Sequence, residues 1–276
     1  MKLDPRQVVA FRETVWEYFR AHERSMPWRD NTDAYFVLVS ELMLQQTQVS
    51  RVIPKFEVFI GQFPTIQSLA NATLADVLGA WNGLGYNRRA KFLHEAARDI
   101  VRQHDGIIPT ALGELIKLPG IGPNTAGAIL AYAYNQPVVF IETNIRTVLI
   151  HEFYKDQFGV NDRELRELTQ QTMDYEHPRE WYWALMDYGT RLKQTVGGRL
   201  QQSKHYKKQS PLAGSAREMR GRIITSLATG SMSEKALGQA VRADDRFVDA
   251  LVALAAEGMI EKRNSRWCLT GGGDAR

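Results

Sequence analysis

The chain has 276 residues, of which 44% are hydrophobic and 24% are charged, and this is ordinary for a globular protein of about two domains. Its single cysteine, Cys268, excludes a disulfide framework and a metal cluster with cysteine ligands. The net charge is only +4, but residues 190–276 carry 16 Lys and Arg against 8 Asp and Glu. Such a basic part is typical of nucleic-acid contact, and a solvated basic surface explains it equally well.

The sequence carries no sign of export or of membrane insertion. Residues 1–20 lack the apolar h-region of a signal peptide. No apolar run approaches the roughly 18 residues that a membrane-spanning helix needs. We therefore expect a cytoplasmic protein that makes no contact with a membrane.

Apolar residues recur at helical spacing along most of the first 194 residues, without the strand and helix alternation of an α/β protein. Thr73, three residues before Asp76, has the pattern of a capped helix start. The pattern therefore predicts an all-α core. The main helices are predicted at about 5–22, 34–49, 88–104, 142–156, 162–174 and 178–194.

A connector rich in glycine, lysine and glutamine at residues 195–214 predicts a boundary between a core of residues 1–194 and a small domain of residues 215–276. Within the small domain, three helices are predicted at 215–228, 233–241 and 244–257, and a hairpin with "RNSR" at its tip follows. This order is that of a winged helix, which would hold duplex DNA through phosphate contacts of its third helix and its wing. A helical cap on the core, or a domain that binds a partner protein, is the alternative.

The stretch "LPGIGPNTA", residues 118–126, places two glycines and a proline between two apolar helical runs. Gly120 and Gly122 suit a tight turn in which φ exceeds zero, and Pro123 suits the first turn of a helix. Free amides at such a helix start favour an anion, and a DNA phosphate fits this geometry. A structural turn without a ligand is the alternative.

This hairpin and the segments around it resemble the helix-hairpin-helix (HhH-GPD) superfamily of DNA glycosylases. "SELMLQQTQV" at residues 40–49, "GLGYNRRA" at 83–90 and "IETNIRTVL" at 141–149 occur in the order of that superfamily and are most similar to the MutY family, over about residues 25–190. The resemblance implies an all-α, two-lobed catalytic core with a DNA groove between the lobes. It also implies base excision repair, in which a mispaired or damaged base is rotated out of the duplex and removed.

Two carboxylates are candidates for the chemistry, because breaking a base–sugar bond needs one group to stabilise the sugar cation and another to help the base leave. Glu41 lies in an apolar run, where an unpaired carboxylate is costly; from the pattern alone, an exposed or capping glutamate is the commoner explanation. The resemblance matches Glu41 to the catalytic glutamate of the family. It matches Glu142 to a cation-stabilising residue that is usually aspartate, so Glu142 is either catalytic or a helix cap. Asn144 matches an asparagine that orients the carboxylate or a water.

The resemblance also assigns the DNA contacts. Gln46 matches a glutamine that intercalates, and Tyr86 matches a tyrosine that wedges near the partner base. From the pattern alone Tyr86 is packing, and Arg88 and Arg89 are either phosphate contacts or surface charges. The expected DNA-binding set is Gln45, Gln46, Thr47, Tyr86, Arg88, Gly120, Gly122, Asn124, Thr125, Lys204, His205, Lys207 and Lys208.

Three departures from the family limit what the resemblance implies. Asn124 stands where bifunctional relatives have a lysine that forms a Schiff base, so we expect a monofunctional enzyme without lyase activity. Trp183 stands where relatives often have a polar residue near the base pocket, which weakens the assignment of adenine. The region that usually holds a [4Fe–4S] cluster contains no cysteine, so we expect neither a cluster nor another metal centre, and at most a monovalent cation at the hairpin.

The sequence thus predicts a monomeric, monofunctional glycosylase of double-stranded DNA with adenine as the favoured base. A thymine or uracil mismatch glycosylase is the nearest alternative. A non-catalytic lesion-binding protein is a second class, favoured by glutamate at position 142. A DNA-binding regulator that acts through its C-terminal part is a third.

Overall fold

The computed structural model describes residues 1–155, 157–197, 199–204 and 211–272. Helices dominate the described chain, in agreement with the predicted all-α core, and no helix in those ranges has the length and apolar character needed to cross a membrane. The predicted run at 34–49 is divided, because its helix ends at Leu44 and the next begins at Val49. In chain order, the helices are α1 (Pro5–His22), α2 (Pro27–Asp30), α3 (Ala34–Leu44), α4 (Val49–Gln62), α5 (Ile66–Asn71), α6 (Leu74–Trp81), α7 (Arg88–Gln103), α8 (Leu112–Leu115), α9 (Pro123–Tyr134), α10 (Thr143–Phe153), α11 (Asp162–Thr172), α12 (Pro178–Val196), a 3₁₀ turn (Arg199–Gln202), α13 (Ala216–Leu227), α14 (Glu234–Val241) and α15 (Arg246–Ala256).

The chain divides into two compact units. Unit 1 comprises Met1–Leu38, Thr110–Lys117 and Ile121–Lys208, and unit 2 comprises Val39–Pro109, Leu118–Gly120 and Gln209–Arg276. The residues after the predicted connector therefore group with residues 39–109. The boundary at 195–214 stays a prediction.

Unit 1 has an aromatic core at the crossing of α1, α10 and α12. The ring of Phe11 lies 5.0 Å from that of Phe153 and 5.9 Å from that of Trp181, between centroids. A buried ion pair adds to this core, because both terminal nitrogens of Arg29 donate to Asp187 at 2.9 Å. The pair ties the short α2 to α12.

The helical part of unit 2 is built on capped helices and a second aromatic core. The side chain of Thr73 accepts from the backbone N–H of Asp76, and the Asp76 side chain accepts from the backbone N–H of Thr73, which confirms the predicted helix start. The ring of Phe59 meets that of Trp81 edge to face at 6.0 Å, and both residues are buried. These contacts fix α4 and α6, and α5 packs beside α7.

The C-terminal part of unit 2 has the predicted order of helix, helix, helix and hairpin. The strands are β1 (Met232–Ser233), β2 (Ile260–Arg263) and β3 (Arg266–Leu269), which form an antiparallel sheet in the order β1-β3-β2. Asn264 and Ser265 both have positive φ, 46° and 63°, as a two-residue hairpin turn requires. The hairpin tip is therefore confirmed, whereas β1 is too short to carry a sequence signal.

Candidate active site and DNA-contact residues

Glu142 occupies the N-cap position of α10 in unit 1, but its side chain makes no capping hydrogen bond. Burial raises the pKa of the Glu142 carboxyl above its ordinary value, and the positive charge of Lys193 on α12 opposes this rise. Burial also lowers the pKa of Lys193, against the pull of Glu142. Both side chains are half-buried. The positive charge of Lys193 and the positive end of α10 therefore favour the ionised carboxylate, and burial opposes it.

Asn144, the third catalytic candidate, lies in α10 beside Gly189 and Thr190 of α12. Its amide nitrogen is 3.4 Å from the hydroxyl oxygen of Thr190. A Cβ atom added at Gly189 would lie 2.6 Å from the backbone oxygen of Asn144 and 2.8 Å from its Cβ. Only glycine allows this approach, so Gly189 positions the start of α10. A lone glycine inside a helical pattern is the sequence signal for such a contact.

Gly189→Ala is expected to destabilise the protein by about 1–3 kcal/mol, because the clash with backbone atoms outweighs the better helix propensity of alanine. Urea unfolding of the purified variant measures the change. Gly221→Ala is the matched control, since Gly221 also lies inside a helix but has no atom within 4 Å of the added Cβ. The control should gain stability. Equal effects of the two substitutions would contradict the assigned role of Gly189.

Glu41 lies in the third turn of α3 and belongs to unit 2. It is half-buried, while its neighbours Ser40, Leu42 and Met43 are fully buried. Glu41 is thus a carboxylate among buried neighbours on a helix, as the sequence predicts. Its catalytic role stays a prediction at this point.

Gln46 and Tyr86, the two residues expected to enter the duplex, share an uncommon backbone conformation. Their φ values are 56° and 50°, in the left-handed region that side chains other than glycine, asparagine and aspartate seldom adopt. Gln46 is exposed and Tyr86 is half-exposed. Strained backbone of this kind concentrates at functional sites when surrounding contacts hold it in place.

Arg89 provides those contacts, and the expectation that it is a phosphate contact or a surface charge is wrong, because it is buried. Its guanidinium is buried and donates to the carbonyl oxygens of Leu42, Met43 and Gln45 at 2.7, 2.8 and 2.6 Å. It also donates to the hydroxyl of Thr47 at 3.0 Å and to the carbonyl of Gly85 at 3.2 Å. Burial lowers the pKa of Arg89 to about 10. One side chain therefore fixes the end of α3 and both turns that carry Gln46 and Tyr86.

Helical spacing could have revealed Arg89. Positions 89, 93, 97 and 100 lie on one face of α7, and all four residues are buried. Neighbouring Arg88 points elsewhere. Its guanidinium donates to Glu257. Arg220 donates to the same carboxylate at 2.6 Å. Arg88 thus belongs to an ion-pair cluster with the C-terminal part of unit 2.

The hairpin glycines differ in what the fold asks of them. Gly120 has a φ of 75°, and an added Cβ would lie 2.7 Å from the Cβ of Phe92, so glycine is required there. Gly122 is the N-cap of α9 with a φ of −87° and open space around it. The expectation of positive φ is therefore correct for Gly120 and wrong for Gly122. Pro123 opens α9 as predicted.

Asn124 uses its side chain within unit 1. Its amide nitrogen donates to the carbonyl of Ile141 at 3.0 Å, and its amide oxygen accepts from the backbone N–H of Ile141 at 3.3 Å and from Arg166 at 3.1 Å. These bonds anchor the segment that leads directly to Glu142. Thr125 is half-buried in the first turn of α9.

Four expected contacts fall in the basic connector. Lys204 is exposed, and its backbone N–H donates to the carbonyl of Val160 at 3.0 Å. His205, Lys207 and Lys208 lie outside the described residues. Within the described ranges, no three His, Cys, Asp or Glu side chains are grouped as a metal site would need, and the cofactor expectation stays a prediction.

Trp183, the departure noted near the expected base pocket, lies in a stack within unit 1. Its ring is 6.5 Å from that of Tyr132 at an interplanar angle of 22°, and the guanidinium carbon of Arg29 is 5.3 Å from the ring centroid. Because Asp187 holds Arg29, the indole is fixed from one side. Trp183 offers flat apolar surface and a single N–H donor, and it has no acceptor.

The family model described as the HhH-GPD superfamily base excision DNA repair protein matches residues 39–173. Residues 39–173 belong to this superfamily. The matched residues include Glu41, Tyr86, the hairpin and Glu142.

Similar proteins carry the name adenine DNA glycosylase. The chain is 35% identical to that of Buchnera aphidicola subsp. Baizongia pistaciae over 186 residues, which are 66% of this chain and 52% of the relative. It is 42% identical to that of Mycobacterium tuberculosis over 146 residues, or 52% and 47% of the two chains. The human protein is 36% identical over 67% of this chain and 36% of its own length. The chain thus spans about half or less of the length of these relatives.

Solved structures show the same fold at low identity. A thermostable thymine-DNA glycosylase superposes with a TM-score of 0.63 at 21% identity, over 71% of this chain and 91% of that one. Endonuclease III in a non-covalent DNA complex superposes with a TM-score of 0.55 at 17% identity, over 76% and 91%. Both agree with the predicted glycosylase architecture.

Proposed function

We propose that the protein is a monofunctional DNA N-glycosylase of base excision repair. It rotates a mispaired or damaged base out of duplex DNA and hydrolyses the bond between that base and its sugar. The observation that carries this proposal is the position of Glu142, which stands at the N-cap of α10 without a capping hydrogen bond, within the residues 39–173 that match the superfamily. The positive charge of Lys193 on α12 acts on its carboxyl. A carboxylate that makes no capping bond is suited to a developing sugar cation.

In this proposal the two glutamates have different tasks. Glu142 is ionised and stabilises the positive charge that builds on the deoxyribose as the bond to the base breaks. Glu41 supplies a proton to the leaving base, and afterwards helps to activate the water that attacks the sugar. Asn144, held at Thr190, orients the Glu142 carboxylate or that water.

Adenine is the favoured base, because the curated relatives that cover half to two thirds of the chain are named adenine DNA glycosylases. Thymine or uracil opposite guanine is the second candidate. The fixed indole of Trp183 favours it, since stacking on a flat apolar ring does not select adenine by hydrogen bonds.

The absence of lyase activity follows in this proposal from Asn124. Strand cleavage by a glycosylase needs an amine that forms a Schiff base with the sugar, and an amide cannot do so. The bonds of Asn124 to Ile141 and Arg166 also give this side chain a structural task. We further propose a cytoplasmic monomer that acts on double-stranded DNA without an iron–sulfur cluster, since the sequence has one cysteine.

The test is base release from labelled duplexes with A, T, U or hypoxanthine opposite G, 8-oxoguanine or C, followed by alkali to cleave abasic sites. We expect strand breaks on at least one duplex, only after alkali, and lost in Glu41→Gln with DNA binding retained. Breaks without alkali would contradict the monofunctional assignment. If the protein binds DNA but no duplex shows strand breaks, the protein is a lesion-binding protein and not an enzyme.

Lys193→Met is expected to shift the pH dependence of base release. Because Lys193 lowers the pKa of Glu142, its loss raises that pKa further. The active form is the ionised carboxylate, so the rate falls as pH drops through this pKa. The acidic limb should therefore move to higher pH in the variant. Single-turnover rates between about pH 5 and 8 measure the shift, and an unmoved acidic limb would contradict this effect of Lys193 on Glu142.

A further inference from the structure

Two guanidinium groups from distant parts of the chain lie close to the ring of Tyr86. The guanidinium carbon of Arg89 is 5.4 Å from the ring centroid, and that of Arg217 is 5.1 Å away. Arg217 also donates from Nη1 to the Tyr86 hydroxyl, across 131 residues of sequence. Arg89 is buried, whereas Arg217, on α13, is half-exposed.

The contact belongs to a wider attachment of α13 to the turn formed by residues 82–88. At one end of the turn, the hydroxyl of Thr225 donates to the side-chain oxygen of Asn82 at 2.8 Å. At the other end, Arg88 and Arg220 share Glu257. The C-terminal part of the chain is therefore held against the turn on both sides of Tyr86.

This region is strongly cationic and contains an aromatic ring, a combination that suits single unpaired bases and the phosphates beside them. Arg51 donates to the carbonyl of Gly83, and the Lys55 side chain lies beside the same glycine. The region thus contains Arg51, Lys55 and the arginines at 88, 89, 217 and 220. Against these six cations stands the carboxylate of Glu257, which binds Arg88 and Arg220.

The third helix of the C-terminal part has the opposite character. The exposed side chains of α15 include Val248 and Val252, which are 61% and 63% exposed, and Asp249. Arg246 at its start is paired with Asp244 and Glu218. An apolar and acidic face does not attract phosphate, which argues against the expected DNA contact through residues 244–257.

We propose that Arg217 is a positioning residue for Tyr86, and that the C-terminal part acts on DNA through this contact. Arg217 fixes both the face and the hydroxyl of the ring, so that the ring is ordered before it meets an unpaired base and less entropy is lost on binding. The inference rests on the proposed function, from which we take the DNA ligand, a duplex interrupted by an unpaired base.

A double-substitution cycle in the full chain tests this without needing turnover. The probes are two fluorescent duplexes, one with a tetrahydrofuran abasic analogue opposite guanine and one fully paired. Arg217→Met and Tyr86→Leu are each expected to weaken binding of the interrupted duplex about tenfold, with little change for the paired one. The double variant should bind no more weakly than Tyr86→Leu alone, because Arg217 acts through the ring.

Arg217→Lys separates charge from geometry, since lysine keeps the charge but lacks the planar donor, and it should behave as Arg217→Met does. Arg222→Met is the matched control on the same helix, where the guanidinium binds Glu218 and the carbonyl of Val241, and it should bind as the wild type. Thermal unfolding confirms that each variant is folded.

Additive losses from Arg217 and Tyr86, equal losses on both duplexes, or rescue by lysine would overturn the proposal and make Arg217 a simple phosphate contact. In that case the slope of log affinity against log salt concentration should be smaller by about one for Arg217→Met than for the wild type. The cycle is independent of catalysis. A chain that releases no base, but shows the coupling, would refute the proposed enzyme and leave the role of Arg217 intact.

Discussion

Glu142→Gln should reduce the single-turnover rate of base release by at least about a hundredfold, the usual loss when a preorganised charge is removed from a transition state. The substitution keeps the size of the side chain and removes its charge, so DNA binding should be retained. Glu142→Asp should stay within about tenfold of the wild type, because aspartate restores the charge one methylene farther back. Rates are measured with enzyme in excess on the duplex that the panel identifies.

The alternative is that Glu142 only caps α10, and the structure weighs against it because the side chain makes no capping bond. A cap lost by substitution would show as lower stability with an unchanged rate. Glu167→Gln, an exposed glutamate of the same unit, is the control for a change of charge far from chemistry. If Glu142→Gln and Glu167→Gln release the base at the same rate, Glu142 is not the catalytic carboxylate.

Features of the fold that depend on neighbouring residues were predictable from the sequence. The capped helix start at Thr73 and the hairpin tip at Asn264 and Ser265 depend on side chains and turns a few residues long. The expected catalytic residues and the residues expected to enter the duplex were predicted from the resemblance, because the motifs that contain them occur along this sequence in the order of the superfamily. Positive φ at Gly122 was wrong, since glycine also serves as an N-cap in extended conformation.

The supports of these residues were not predictable, because they join distant parts of the chain. The stack of Arg217 on Tyr86 spans 131 residues, and only the fold determines which of the many arginines meets the ring. Gly189 is required by the backbone of Asn144, 45 positions earlier, a contact that helical periodicity within α12 cannot reveal. Arg89 is intermediate: its position on α7 indicates burial, but its five acceptors come from elsewhere.

Arg89→Met is expected to lower the free energy of unfolding by about 3 kcal/mol and to weaken binding of interrupted DNA. The variant fills much of the same space, but leaves the carbonyls of Leu42, Met43 and Gln45 without their buried donor. Each such group costs about 1–3 kcal/mol before relaxation. The turns that carry Gln46 and Tyr86 also lose their common support, so their strained backbones should relax.

Arg88→Met is the matched control, one residue away on the same helix. Its guanidinium is 57% exposed and binds Glu257, and an exposed ion pair of this kind contributes about 0–1 kcal/mol. Urea unfolding of both variants gives the stability difference, and titration of the interrupted and paired duplexes gives the binding difference. Arg89→Met should unfold at clearly lower urea and lose its preference for the interrupted duplex. Equal stability of the two variants would mean that the end of α3 and the two turns hold their shape without Arg89, and the backbone strain at Gln46 and Tyr86 would then need another source of support.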